Sequence, residues 1–245
     1  MTDGQQPRRS ALVFGARNLG RAVIEMLIEE GWTVAGVARS DTTLQGVTAA
    51  GGLALRADVT DQASVRAAVE QAAAAHGGVD LVLNAASAYG GTRSGPFGGG
   101  PIAEAKDDAF DSWAVAPAHS AFAFLSGAGS FVVSQGRPAT LIQVTGGSSR
   151  RAIPGRGLWA AGAFAVRAIT QAAALELRPQ GIHVALLIVD AGIEPLSGPT
   201  RPNSVPETLA DPRQIADAVR FLADQGARAA THELLLTPLA ETWVP

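Results

Sequence analysis

The chain has no cysteine, which excludes disulfides, thiolate metal sites and cysteine nucleophiles together. Tyrosine and lysine occur once each, as Tyr89 and Lys106. Charged residues make up only 17% of the sequence and the net charge is −3, so there is no electrostatic case for nucleic acid or an anionic membrane surface. No unbroken apolar run reaches the roughly 18 residues of a spanning helix. The opening segment MTDGQQPRRS is polar and lacks the apolar core of a signal peptide, so the expected location is the cytoplasm. The four histidines, His76, His119, His183 and His232, are not spaced as metal ligands, and no metal site is expected.

What is present is a 245-residue chain, 47% hydrophobic, long enough to bury the core of one large α/β domain. Apolar, β-rich runs at 11–15, 33–38, 53–57, 79–84, 140–145, 183–190 and 233–237 alternate with helical patterns at 19–30, 61–76, about 106–135, 158–178 and 211–224. That alternation predicts a doubly wound parallel sheet of about seven strands with crossover helices on both faces. The whole span 1–245 reads as a single domain. Residues 1–9 are expected to be flexible, 89–101 (YGGTRSGPFGGGP) to form a mobile Gly-rich surface loop, and 196–209 to be a Pro-rich insert.

The segment LVFGARNLGRAV lies where the first strand turns into the first helix. Gly15 permits a tight turn, Gly20 permits close helix–strand contact, and the helix N-terminus can receive a phosphate. Arg39 follows the second strand, where a basic residue suits a ribose 2′-phosphate and an acid would suit a free hydroxyl. Arg17, in the glycine turn, can reach the same phosphate. Asp58, in RADVTD, ends the third strand; it can accept from an adenine amino group or cap the next helix, or do both. Asn84 ends the fourth strand at LVLNAAS.

A glycine turn, an Asp-Val after the third strand and an Asn-Ala after the fourth, in that order, resemble the short-chain dehydrogenase/reductase family. The likeness runs through ITQAAALEL and DPRQIADAVRFL to the last strand. It implies a Rossmann-type sheet, a bound NAD(P), a small-molecule ligand in the cleft, and a homodimer or homotetramer. It implies cofactor contacts at Gly15, Arg17, Asn18, Leu19, Gly20, Arg39, Asp58, Val59, Asn84, Ala85 and Ile193, with NADP(H) favoured by the two arginines. Two features depart from the family pattern. Asn18 stands near the turn's middle glycine in a turn one residue short, and Ala191-Gly192 replaces the usual Pro-Gly after the sixth strand.

Members of that family reduce carbonyls with a tyrosine as proton donor and a lysine four residues later, on the same helix face. A serine about thirteen residues earlier orients the substrate oxygen, and a helix asparagine supports a relay water. Matched to this pattern, GLWAAGAFAVRAIT puts Trp159 at the tyrosine position and Ala163 at the lysine position. Gly146 falls at the serine position and Pro117, in FDSWAVAPAHSAFAF, near the asparagine. With one tyrosine and one lysine, no Tyr-x-x-x-Lys pair exists anywhere in the chain. An indole N–H is a poor acid, so Trp159 is expected to fill the cleft. Thr145, Ser148 and Ser149 can orient a substrate but offer no evident acid. His119 is expected to face away from the cleft, and Tyr89 is the one phenol available as a relocated donor. Three readings stay open: an NADP(H)-binding protein without the usual redox chemistry, a divergent oxidoreductase acting on a substrate that needs little acid help, such as an imine or activated alkene, and a non-redox enzyme reusing the cleft.

Overall fold

The computed structural model describes residues 8–87, 96–200 and 204–241. Its strands are β1 (Ser10–Phe14), β2 (Thr33–Ala38), β3 (Leu53–Arg56), β4 (Leu81–Asn84), β5 (Ala139–Gly146), β6 (Ile182–Val189), β7 (Gly192–Ile193), β8 (Leu209–Ala210) and β9 (Glu233–Leu236). Seven of them form one sheet in the order β3-β2-β1-β4-β5-β6-β9, parallel at every pairing, while β7 and β8 make a small pair of their own. The central strands read as near-continuous apolar runs because helices cover both faces. Strand order reverses between β1 and β4, and in such sheets the ligand crevice lies outside the carboxyl ends of the strands at that point.

The helices are α1 (Leu19–Glu29), α2 (Asp41–Ala49), α3 (Gln62–His76), α4 (Asp107–Phe110), α5 (Ala116–Gln135), α6 (Gly157–Leu177) and α7 (Pro212–Ala223). One core cluster packs α1 and α7 against the sheet, with Val23, Leu27, Leu81, Leu187 and Val219 at its centre. The other packs α3 and α5, with Phe14, Val69, Phe124 and Leu141. Phe14 and Phe124 meet edge to face at 5.8 Å.

All seven predicted strands of the main sheet are present, with ends shifted by a residue or two. Helix α2 was not expected. Its sequence DTTLQGVTA carries two threonines at its start and a glycine, and only Val47 is buried, so it lacks an apolar stripe; Ser40 caps it through Thr43 N at 3.4 Å. The expected helix over about 106–135 is one helical run with a π-turn, Asp111–Val115, between α4 and α5. Pro117 has no N–H to return to Trp113, and Ala116 N–H reaches back five residues to the Asp111 carbonyl.

At the N-terminal edge the Arg9 guanidinium lies 3.9 Å over the Trp32 ring and bonds Asp224 and the Ala223 carbonyl. Phe97, expected in a mobile loop, packs into the cleft described below. Asp107–Gln135 and Gly157–Gln180 pass for spanning helices by length and composition alone, but 50% and 39% of an apolar 18-residue stretch of each is buried within the fold, as in core helices.

Candidate active-site cleft

At the dinucleotide end the glycines do what the turn requires. A β-carbon on Gly15, which has φ +81°, would lie 2.5 Å from Ala86 N, so the turn passes the end of β4 with no room for a side chain. A β-carbon on Gly20 would lie 2.4 Å from the Gly15 carbonyl oxygen, which fixes the close approach of α1. Ala85 N donates to Phe14 O at 3.0 Å. Buried Asn84 donates to Gln143 Oε1 at 3.0 Å and accepts from Ala86 N at 3.1 Å, so it orders the end of β4. Leu19 is buried in the core, Arg17 is exposed, and no acid stands in the first turn of α1, so nothing there repels a phosphate.

Asn18, near the position of the family's middle glycine, makes two side-chain hydrogen bonds. Its Nδ2 donates to Glu194 O at 2.9 Å and its Oδ1 accepts from Leu196 N at 2.7 Å. The side chain thereby ties the glycine turn to the loop after β7, where Ile193 packs against the core. The turn keeps its backbone clear of side chains at Gly15 and Gly20, and its outer rim is fastened by a protein amide.

Arg39 leaves β2 exposed and pairs with Asp58 at 3.6 Å. Asp58 is not the cap of α3. That role belongs to Asp61, which accepts from Ala63 N and Ser64 N, and Asp58 instead closes its own turn by accepting from Thr60 N and Thr60 Oγ1 at 3.0 and 2.8 Å. Burial pushes the Asp58 carboxyl up, but the Thr60 hydrogen bonds and the Arg39 charge outweigh it and hold the group below its ordinary value. Arg56 bonds Asp41 and the Arg39 carbonyl, so it braces the backbone that carries Arg39; Val59, beside Asp58, is half-buried.

At the catalytic end Trp159 stands inside a cluster of three rings. It meets Trp113 edge to face at 5.8 Å and Phe97 at 5.4 Å, and Phe97 meets Trp113 at 4.9 Å. Arg156 lies 5.3 Å over the Phe97 ring. Ala163 is 4% exposed, one turn along α6. Beside it Gly162 allows α6 to touch the π-turn: a β-carbon there would lie 2.4 Å from the Trp113 carbonyl oxygen. Pro117 therefore sits where it shapes a helix contact and contributes no hydrogen-bond donor. His119 is exposed and stacks on Phe122, away from the cleft as expected. Tyr89 lies outside the described residues.

The hydroxyls near Gly146 divide. Thr145 and Ser148 are half-buried; Ser149 is fully buried with no hydrogen-bond partner for its Oγ among the described residues. A β-carbon on Gly146 would make ordinary contact with Trp159 Cζ2 at 3.6 Å and Val189 O at 3.9 Å, so the serine position has room for a side chain that the sequence does not supply. Sequence reasoning missed the polar pair next to it. Asp190, at the end of β6, sets its carboxylate against Gly147, and its Oδ2 accepts from Arg151 at 3.3 Å. An acid directly after six consecutive apolar residues at the crevice end of β6 was the signal available for it.

Each position can now be set beside known proteins. A family profile described as enoyl-(acyl carrier protein) reductase matches residues 14–237, and the chain belongs to this family of short-chain dehydrogenase/reductases. The 2,5-dichloro-2,5-cyclohexadiene-1,4-diol dehydrogenase of Sphingobium indicum is 26% identical over 238 residues, which cover 90% of this chain and 91% of that protein. An alcohol dehydrogenase from the archaeon Thermococcus sibiricus, crystallised with 5-hydroxy-NADP, superposes with a TM-score of 0.76 over 97% of this chain and 100% of its own, at 22% identity. A metagenomic short-chain oxidoreductase in complex with NADP gives 0.71 over 95% and 98%, at 23% identity. These two likenesses establish the fold.

Proposed function

We propose that the chain is an NADP(H)-binding short-chain dehydrogenase/reductase that does not reduce carbonyls by the family's phenol–lysine route. The observation that carries this reading is the environment of Trp159 and Ala163. A ring packed among Trp113 and Phe97, followed one turn later by a buried alanine, supplies at those two positions no acidic proton donor, no group to lower a donor's pKa and no ammonium for the nicotinamide ribose. The adenosine end supports cofactor binding: Gly15 and Gly20 keep the cradle clear, and Arg17 and Arg39 are exposed beside it. The neighbours crystallised with NADP or an NADP adduct support the same choice of cofactor. When bound, NADPH would supply hydride; the chain's own part is to hold its adenosine half on the α1 turn and to exclude water with the aromatic cluster.

The test is a fluorescence titration of NADPH and NADH with wild type and Arg39→Ala, alongside NADPH oxidation over a panel of ketones and aldehydes. The expected result is tighter binding of NADPH, a preference lost in the variant, and no ketone turnover above background. A charge-assisted bond to phosphate is worth about 1.5–3 kcal/mol, so the loss should be on the order of tenfold or more. Equal affinities untouched by Arg39→Ala, or robust ketone reduction, would remove the proposal. A second reading, a divergent oxidoreductase, is favoured by one observation, the carboxylate of Asp190 in the cleft.

A further inference from the structure

Asn18 uses both ends of its side-chain amide on a single stretch of chain. Nδ2 donates to the Glu194 carbonyl at 2.9 Å, and Oδ1 accepts from the Leu196 N–H at 2.7 Å. The side chain makes no cap for α1, although it stands at the N-cap, where an asparagine commonly bonds the next N–H groups. The stretch it holds is fastened on its other edge as well. Gly192 and Ile193 pair with Leu209 and Ala210, and the Glu194 N–H donates to the Ala210 carbonyl at 3.0 Å. Ile193 and Leu196 pack against the core cluster that α1 and α7 share. Residues 192–196 are thus a strap held from both sides.

The sheet order shows what the strap crosses. Two strands, β4 and β5, separate β1 from β6. At about 4.8 Å per strand spacing, the ends of β1 and β6 lie on the order of 14 Å apart. The chain from Val189 to Glu194 can span on the order of 17 Å when extended, enough to cover that distance. The chain leaving β6 therefore runs back past the carboxyl ends of β5 and β4 to the turn after β1, on the side of α1 and α7. The crevice at the switch point between β1 and β4 lies at those same ends.

We infer that the bridge from Asn18 to Glu194 and Leu196 is a clasp that bars the crevice to a whole dinucleotide, and that it opens before NADP(H) seats. The inference rests on the cofactor reading proposed above and adds a regulation to that site. The adenosine half rests on the α1 turn, on the near side of the bridge. The nicotinamide half has to pass along the bridged rim to reach the ends of β4 and β5, where Asn84 and Gly146 stand. A pyrophosphate passing there meets a side-chain amide whose donor and acceptor are both engaged, and a strap whose Leu196 N–H is already bonded. A cofactor that binds only the open state has its apparent affinity reduced by the fraction of protein that is open.

Two measurements on the full chain test it. Hydrogen exchange of the Leu196 amide needs no cofactor: the amide should be protected in wild type and exchange about tenfold faster or more in Asn18→Ala. Titration calorimetry then compares NADPH with adenosine 2′,5′-bisphosphate, which carries the phosphates of the adenosine half and no nicotinamide. The ratio of NADPH affinity to bisphosphate affinity should rise about tenfold in Asn18→Ala and in Asn18→Gly. Thermal melts verify that both variants are folded, and a ratio taken within one protein is insensitive to a general loosening of the turn. Equal exchange at Leu196 in wild type and Asn18→Ala overturns the inference. So does a ratio that stays constant or falls, because the bridge would then be no bar to the cofactor or a part of its seat. In both of those cases, binding of the bisphosphate and NADPH leaves the cofactor reading standing. If neither ligand binds wild type or either variant, the cofactor reading falls and this inference falls with it.

Discussion

The carboxylate of Asp190 lies directly over the α-carbon of Gly147. A β-carbon there would fall 1.8 Å from Oδ1, 2.1 Å from Cγ and 2.7 Å from Cβ. Aspartate is short and its Cβ is among the atoms met, so the clash cannot be relieved by swinging a flexible tip. Gly147→Ala is therefore expected to lower stability by about 1–3 kcal/mol, the usual range for overpacking a filled site. Part of that loss should return in Gly147→Ala/Asp190→Gly, because the two positions share one space. Thermal melts of the two single variants and the double variant check this. Strictly additive losses would mean that the two residues do not compete for room.

Glu233 gives a pH-dependent prediction. It begins β9 and accepts from Arg167 at 2.8 and 3.0 Å, from Arg150 at 3.3 Å and from Gln171 at 2.6 Å, which ties the last strand of the sheet to α6. The Arg167 hydrogen bonds pull its carboxyl below the ordinary value of 4.5, burial opposes them, and Gln171 and Arg150 assist. A carboxyl lowered in the folded state stabilises the protein above its unfolded pKa, and that stability is lost as pH falls through the folded pKa. Glu233→Gln should cost about 1–3 kcal/mol at pH 7. The gap between wild type and variant should close as the pH drops below about 4.5, where the unfolded carboxyl begins to take up its proton. Melting curves from pH 7 to 3 measure it; a gap constant over that range would contradict the assignment.

The outer face of the α5–α6 pair leads to a third expectation. Phe122, Phe164 and Leu175 are 49%, 43% and 65% exposed on helices whose sequences carry few charges. Isolated exposed apolar side chains are common, but several on one helix pair fit the homodimer or homotetramer that the family resemblance implies. Light scattering at micromolar concentration should give a mass of two or four chains, and Phe164→Glu should reduce it without lowering the helix signal in circular dichroism. A wild-type monomer would count against this expectation.

The architecture was legible because its signals are local and repeated. Strands β1, β4 and β6 are apolar runs bounded by turns, and α7 announces itself with Asp211 as cap and Pro212 in its first turn. Helix α2 was not legible, since its stability comes from a serine cap and from packing one valine, neither of which makes a periodic pattern. That α6 carries no tyrosine and no lysine was readable from residue identity alone. What replaced them was not. Asp190 and Gly147 lie 43 positions apart in the numbering, and only the pairing of Gly146 with Val189 across β5 and β6 brings them together. Phe97 and Trp113 likewise reach Trp159 only through tertiary packing, in which Gly162 lets α6 touch the π-turn.

The same packing bears on what a graft of the family's tyrosine and lysine would do. In Trp159→Tyr/Ala163→Lys the phenol would replace an indole that fills the space between Phe97 and Trp113, leaving a gap in the cluster. The lysine would enter at a position only 4% exposed, beside the contact of Gly162 with the Trp113 carbonyl. Burying an ammonium without a paired partner is costly and lowers its own pKa, so the graft works against the charge it is meant to supply. Gly146 and Pro117 would still provide neither the orienting hydroxyl nor the relay amide. General acid catalysis contributes about 10²–10⁴-fold, and a misplaced donor forfeits much of that. The double variant is expected to melt below wild type and to show no ketone reduction above background, whereas adding Gly146→Ser, which the open space at 146 accommodates, should be tolerated structurally. An NADPH-oxidation assay over ketones and aldehydes, with melting curves for each variant, checks both halves. Recovery of ordinary ketone turnover by the two substitutions alone would show that the aromatic cluster yields to a phenol and a lysine, and that the cleft was emptied of chemistry without being rebuilt around Trp159.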